Sequence, residues 1–291
     1  MKKLIVLIIL FVQITAFAQL ENSLLWEISG NGLEKPSYIY GTIHYICKTQ
    51  DLLKPKLKAI IKSSENVYLE IVYDEHLNNF KAHYDVYLKN GKSLSSYYTP
   101  TEYIFLEKQF NKKMKRYGLE LGFFKNFKPA EILGFIVPSV IKCTNPTSYE
   151  EEISKIAKKN KIKIIGLENY EEHNSFQTES DSLTQVNATR FYEFITNKEK
   201  VVENFNEYNN LKTLYLQEKI EELYQSSNAN SMKSEIELVL DFRNKLWIPR
   251  IAEASKKGQI LYAFGAAHLA GENGVINLLR KEGYTVTPVF E

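Results

Sequence analysis

The sequence predicts an α/β fold, with a central mixed, largely parallel sheet, helices on both faces and a helical insertion. Short runs of β-branched and aromatic residues alternate with segments of helical period at both ends of the chain. Between them, residues 182–227 alternate apolar and charged residues at helical period with no strand signal. No linker rich in Pro, Gly or Ser, no low-complexity tract and no solenoid period interrupts the chain. One domain over residues 19–291 is therefore expected, with helical elaborations around residues 75–147 and 172–232.

Each element has its own signal. Residues 24–28 and 38–42 are strand-like and are joined by SGNGLEKPS, whose Asn31-Gly32 pair and Pro36 are turn residues, so a hairpin is expected. Residues 52–63 repeat apolar residues at helical spacing, with Pro55 in the first turn, where its missing N–H does least harm. NVYLEIVY, residues 66–73, is the next strand. Thr99, Pro100 and Glu102 make a capping-box helix start. Pro129 opens the apolar segment AEILGFIV, which Pro138 is expected to stop or kink. Residues 148–159 read as a polar-faced helix and IKIIGLEN, residues 162–169, as a buried strand. Residues 234–257 form a long helix, 259–264 a strand, 274–282 a helix and 284–290 a closing strand.

The N-terminus reads as a removable export signal, with an uncleaved N-terminal anchor as the alternative. Lys2 and Lys3 form a positive n-region, residues 4–12 are an almost unbroken apolar run, and Ala16-Phe17-Ala18 suits signal peptidase, with cleavage after Ala18. The run falls short of the roughly 20 apolar residues of a membrane span. The expected location is periplasmic or secreted, with no membrane attachment once residues 1–18 are removed. That removal takes two lysines from 37 basic residues and nothing from 35 acidic ones, leaving 35 of each on 291 − 18 = 273 residues. A balanced chain offers no electrostatic footprint for nucleic acid, which is excluded as a partner. The two cysteines, Cys47 and Cys143, suffice for one disulfide and exclude a four-cysteine metal site, and the sequence leaves their pairing open.

Two stretches carry the functional signal. YIYGTIHYI and LYAFGAAHLAGENG each break a strand-like run at a glycine and place a histidine three positions later, Gly41 to His44 and Gly265 to His268. In open α/β sheets functional groups gather beyond the carboxyl ends of strands. There the glycines allow tight turns or close approach. Glu70 lies inside the apolar run VYLEIVY, where an ionised carboxylate is costly unless paired or coordinated. Glu168 ends IKIIGLE. Two imidazoles and two carboxylates make a sensible ligand set for a divalent metal, Zn at the softer end with Mn or Co as rivals. Arg243 sits between Phe242 and Leu246 in LVLDFRNKLWIPRI, where its ordinary role is a snorkelling surface arginine or a partner for Asp241. His76, His83 and His173 lie in polar surroundings, and the spacing of seven between His76 and His83 is a weaker ligand signal. No Walker loop, HExxH or GxSxG elbow is present, and GAAHLAGENG is a poor dinucleotide fingerprint.

LLWEISGNGLEKPSYIYGTIH, VYLEIVYD, SYEEEISKIAKKNKIKIIGLEN, DFRNKLWIPRI and LYAFGAAHLAGENGVINLLRKEGYTVTPV together resemble the TraB/GumN family, whose members include pheromone-shutdown proteins and the Tiki metalloproteases. A lone GxxH carries no weight. The ordered set of two GxxH motifs, a strand glutamate, an RN-containing helix and a final HLxGxxG turn is specific. The resemblance implies an α/β plan related to the erythromycin-esterase and ChaN-type folds, with both histidines at one site, and, from the Tiki branch, divalent-metal-dependent peptide-bond cleavage. Carried over, it makes His44 and His268 ligands or a catalytic pair, Glu70 a ligand or base, Arg243 an anion-stabilising partner and Glu168 a second strand-end carboxylate.

The expectation for function is an exported hydrolase of peptide or small acyl substrates. His44, Glu70 and His268 would hold one Mn, Co or Zn ion, Glu168 or Glu70 would accept the water's proton, and Arg243 would stabilise the oxyanion. Two alternatives stay open: a metal-independent, esterase-like reaction in which one histidine is the base, and a module that captures a peptide or pheromone without cutting it.

Overall fold

The computed structural model describes residues 21–48, 51–72, 86–140, 143, 145–176, 181–229 and 236–290. Six strands form one mixed sheet in the order β6-β4-β7-β2-β1-β8. They are β1 (Leu25–Ser29), β2 (Ser37–Thr42), β4 (Asn66–Leu69), β6 (Lys163–Gly166), β7 (Ile260–Gly265) and β8 (Thr285–Pro288). β3 (Ile46–Cys47) and β5 (Pro146–Thr147) pair separately as a short antiparallel ladder.

β1 and β2 are the expected antiparallel hairpin. β2, β7, β4 and β6 run parallel to one another, so the carboxyl ends of four neighbouring strands lie along one edge. The chain's late strand β7 is inserted between the early strands β2 and β4, and this crossover brings residues near position 265 beside residues near 42 and 70. All six residues of β7 are buried. A strand buried on both sides belongs to a sheet covered on both faces, which explains why ILYAFG is continuously apolar instead of alternating.

The main core surrounds this sheet, with Trp26, Trp247, Tyr262 and Phe264 among its fully buried side chains. A second apolar cluster, including Leu94, Leu106, Phe110, Leu121, Ile132 and Phe191, lies within the helical middle. Its helix Pro100–Met114 starts as expected: the Thr99 side chain accepts from the Glu102 amide while Glu102 Oε2 accepts from the Thr99 amide at 2.8 Å. Helix Pro129–Val140 passes through Pro138 before ending. Pro138 stands in the last turn, so it deletes one donor close to where the helix stops in any case.

Two other differences bear on the site. The strand expected over residues 66–73 ends at Leu69, and the pairing continues as irregular backbone in which the Glu168 amide donates to the Glu70 carbonyl at 3.0 Å. The long helix expected from residue 234 begins, within the described residues, with a π-helical turn, Glu237–Asp241, followed by helix Phe242–Ser255. Such widened turns recur at functional sites. Cys47 and Cys143 are joined by a disulfide across 96 residues of sequence, beside the β3–β5 ladder. Among the described residues no helix is long and apolar enough to cross a membrane. The signal-like segment, residues 1–18, lies outside the described residues.

Candidate functional site

Along the carboxyl edge of the sheet, β6 delivers Glu168, β4 Glu70, β7 His268 and β2 His44, in that spatial order. Thr42 of β2 is level with Gly265 of β7, so the two GxxH turns leave the sheet side by side. The two glycines do different jobs. A Cβ on Gly41 would stand 2.6 Å from Leu269 Cδ1 and 3.1 Å from Ala266 Cβ, so its bare backbone lets the turn Ala266–His268 lie against β2. A Cβ on Gly265 would stand 3.2 Å from Glu70 Oε1, 3.3 Å from His44 Nε2 and 3.6 Å from His268 Cδ2. Gly265 is thus the floor of a small space on which both histidines and Glu70 converge.

Glu70 is the hub. Its Oε1 accepts from the Gly265 amide at 2.6 Å and lies 3.7 Å from His44 Nε2 and 3.9 Å from His268 Nε2. Its Oε2 accepts from Arg243 Nη2 at 2.7 Å. Burial acts to raise the pKa of this carboxyl, but the Arg243 charge, the two imidazoles and the Gly265 N–H outweigh it and hold the group well below the usual carboxylate range.

Arg243 is clamped between two carboxylates. Besides Glu70, it donates from Nη2 to Glu168 Oε1 at 2.6 Å and from Nε to Glu168 Oε2 at 3.0 Å. The guanidinium carbon lies 4.9 Å from the centroid of the Trp247 ring. Its Nη1 makes two long contacts among the described residues, 3.4 Å to Val239 O in the π turn and 3.4 Å to His268 Nε2. Burial opposes its charge, yet the two carboxylates raise its pKa further.

Glu168 is fully engaged. Its side chain is 0% exposed, its Oε1 also lies 2.7 Å from His173 Nδ1, and its Oε2 accepts from Trp247 Nε1 at 3.2 Å. Desolvation would raise its pKa, but the hydrogen bonds from His173 and Arg243 turn the shift downward. With all its acceptor positions taken, Glu168 holds Arg243 in place, and nothing leaves it a lone pair for a water proton.

The two histidines differ sharply. His268 has a side chain 5% exposed, and its ring centroid is 4.5 Å from that of Trp247. Burial is the main reason its pKa falls to about 3, with the Arg243 charge adding to it, so the ring is neutral at neutral pH. The His44 side chain is 66% exposed, and its Nδ1 lies 2.7 Å from Glu150 Oε1. Partial desolvation opposes the His44 charge, but the hydrogen bond to Glu150 and the charges of Glu70 and Glu150 win and raise its pKa to about 9.

Among the described residues no three His, Cys, Asp or Glu side chains are drawn together as a formed metal cage. The donor chemistry nonetheless suits a divalent ion: two imidazole Nε2 atoms face one carboxylate oxygen at 3.7 and 3.9 Å, each ring with its Nδ1 held by an acceptor.

All five expected residues, His44, Glu70, Glu168, Arg243 and His268, lie within residues 24–288, which match the model of the TraB/PrgY/gumN family. The chain belongs to that family. No curated protein and no solved structure matches it. The site of this family member also contains residues to which sequence reasoning gives no role: Glu150 behind His44, Asn244 behind His268, which is marked only as part of the RN pair, and Trp247 and His173 around Glu168, of which His173 is marked only by its polar surroundings. Glu150 sits in the acid-rich first turn of helix Tyr149–Lys159, where its sequence signal is that of an ordinary helix start. Asn244 follows Arg243 directly, the one adjacency that marks it. His76 and His83 lie outside the described residues.

Proposed function

We propose that the chain is an exported hydrolase of peptide or related small acyl bonds. The observation that supports this best is the convergence at Gly265, where Glu70 Oε1, His44 Nε2 and His268 Cδ2 all lie within 3.6 Å of one missing Cβ. Two nitrogen bases and an acid around a space kept open by a glycine are the makings of acyl-transfer chemistry.

His44 Nε2, His268 Nε2 and Glu70 Oε1 are the donors that would hold Mn, Co or Zn, and such an ion supplies Lewis-acid polarisation of the carbonyl and a water acidic enough to attack at neutral pH. Arg243 presents Nη1, whose contacts to Val239 O and His268 Nε2 are long at 3.4 Å, to the developing oxyanion. Its other nitrogens are pinned by Glu70 and Glu168, so the guanidinium is preorganised and need not reorient during reaction. Glu168 positions Arg243 in this form, and the proton acceptor would be whichever of Glu70, His44 and His268 is not bound to the ion. Exposed His44 faces the entering substrate and buried His268 lies beneath it.

A metal-independent form of the same reaction has one observation in its favour: Arg243 already places a cation 2.7 Å from Glu70 Oε2 and 3.4 Å from His268 Nε2. In that form neutral His268 accepts the water's proton and protonated His44 delivers one to the leaving group, the two pKa values being pushed to about 3 and about 9 by their environments.

A peptide library analysed by mass spectrometry before and after incubation with the purified protein tests both forms. New termini that require Mn, Co or Zn support the metal-dependent form, and cleavage that survives exhaustive chelation supports the other. Peptides retained intact on the protein, with no new termini under either condition, would overturn hydrolysis in favour of capture.

A further inference from the structure

The two histidines are held from behind by side chains that have no part in the chemistry just described. His268 Nδ1 lies 2.6 Å from Asn244 Oδ1. The orientation of that amide is set by its other end, because Asn244 Nδ2 donates to the Asn273 carbonyl at 2.8 Å and to the His268 carbonyl at 3.5 Å. Carbonyl oxygens only accept, so the amide NH₂ must face them and the amide oxygen must face the ring. An amide oxygen also only accepts, so the proton sits on His268 Nδ1. The opposite face of the ring gives the same answer independently. Its Nε2 is 3.4 Å from Arg243 Nη1, and a guanidinium can only donate.

At His44 the logic repeats with different chemistry. Its Nδ1 lies 2.7 Å from Glu150 Oε1, an ionised oxygen that also accepts from Thr42 Oγ1 at 2.5 Å. The proton is again on Nδ1. Glu150 is brought there by the backbone that follows the disulfide. β3 pairs with β5, the Lys48 amide donates to the Asn145 carbonyl at 2.9 Å, and the Tyr149 amide donates to the Ile43 carbonyl at 3.5 Å, so the strand end carrying His44 and the helix start carrying Glu150 are tied together.

We propose that Glu150 and Asn244 are a matched pair of positioning residues that hold the proton on Nδ1 of each neutral ring and keep both Nε2 atoms turned toward the space beside Glu70 Oε1. The tautomer assignment stands on hydrogen-bond partners alone, and its value for binding an ion rests on the hydrolase reading above. An imidazole left free of such partners favours the other tautomer or turns its ring, and in metal sites truncating a group that orients a ligand histidine typically costs about 10- to 100-fold in affinity.

The test uses the whole mature chain, uniformly ¹⁵N-labelled, and four variants: Glu150→Ala, Glu150→Gln, Asn244→Leu and Asn244→Asp. Long-range ¹H–¹⁵N spectra at alkaline pH, where both rings are neutral, separate a protonated ring nitrogen from one with a lone pair. Calorimetric titration with Mn²⁺ or Zn²⁺ gives the affinity. In the parent chain both rings should show a protonated Nδ1. Glu150→Ala should change the signature of His44 alone and Asn244→Leu that of His268 alone, each weakening ion binding about 10- to 100-fold. Glu150→Gln and Asn244→Asp keep an acceptor at the same place and should retain the parent tautomers, so the question survives even if a truncated variant does not fold. A protonated Nε2 on either ring in the parent chain, or truncations that leave tautomers and affinity unchanged, would overturn the proposal. Failure of peptide cleavage with the tautomer results intact would sink only the hydrolase reading.

Discussion

His44 stands 66% exposed at the end of β2 with a carboxylate behind it, whereas His268 stands 5% exposed at the end of β7 with a neutral amide behind it. Both close the same glycine-to-histidine spacing, and both turn toward Glu70. The spacing therefore governs where a side chain leaves the sheet, and its surroundings govern its charge: burial and the Arg243 charge keep His268 neutral, whereas Glu150 and Glu70 favour the charged form of His44 against its desolvation. The glycines divide in the same manner. Gly41 serves packing, because Leu269 and Ala266 press on it, and Gly265 serves the site, because Glu70, His44 and His268 stand nearest to it.

The sharpest contrast between the two ends is their dependence on pH. The His268 pKa falls from 6.5 to about 3 on folding, so the stability it contributes is complete above about pH 6.5 and is lost as pH falls toward 3. The His44 pKa rises from 6.5 to about 9, so its contribution is present below about pH 6.5 and is lost as pH climbs through 9, and exposure keeps it the smaller of the two. Denaturant unfolding across pH should show a steep acid loss that His268→Gln flattens and His44→Gln leaves in place. Identical acid limbs in the two variants would erase the distinction.

Arg243 is the element the two ends share. Arg243→Met would strand Glu70 and Glu168 as buried carboxylates and should cost about 3–5 kcal/mol in unfolding free energy, with the Arg243→Lys variant losing less because the charge remains. The disulfide acts on one end only. Opening Cys47–Cys143 with a Cys143→Ser substitution should cost about 2–5 kcal/mol and broaden the ring resonances of His44 while leaving those of His268 sharp. The glycines should give the smallest change in stability and the cleanest division. Gly41→Ala should destabilise the fold by about 1–3 kcal/mol through overpacking. Gly265→Ala should melt near the parent temperature and lose about 100-fold in turnover, the scale expected when reacting groups are pushed off position.

Much of this was legible in the sequence because it is written in single strands. The apolar run ILYAFG announces a strand, Glu70 inside VYLEIVY announces a charge in need of a partner, and the two GxxH turns announce polar groups at strand ends. What was not legible depends on pairs of distant residues. Nothing in SYEEE separates Glu150, which meets His44, from Glu151 and Glu152, because all three complement a helix start equally well. Glu168 reads as a candidate base until Arg243, Trp247 and His173 arrive from elsewhere in the chain to fill its oxygens. The cysteine pairing follows from the β3–β5 ladder, and two-residue strands carry no periodicity to read.

The central claim is that the two strand ends act as one site, and the rate of peptide cleavage by the parent chain, His44→Ala, His268→Ala and the double variant tests it most directly. Residues that work as a unit are not additive, so each single substitution should lose nearly as much as both together. Losses that multiply independently, or full cleavage by either single variant, would contradict it.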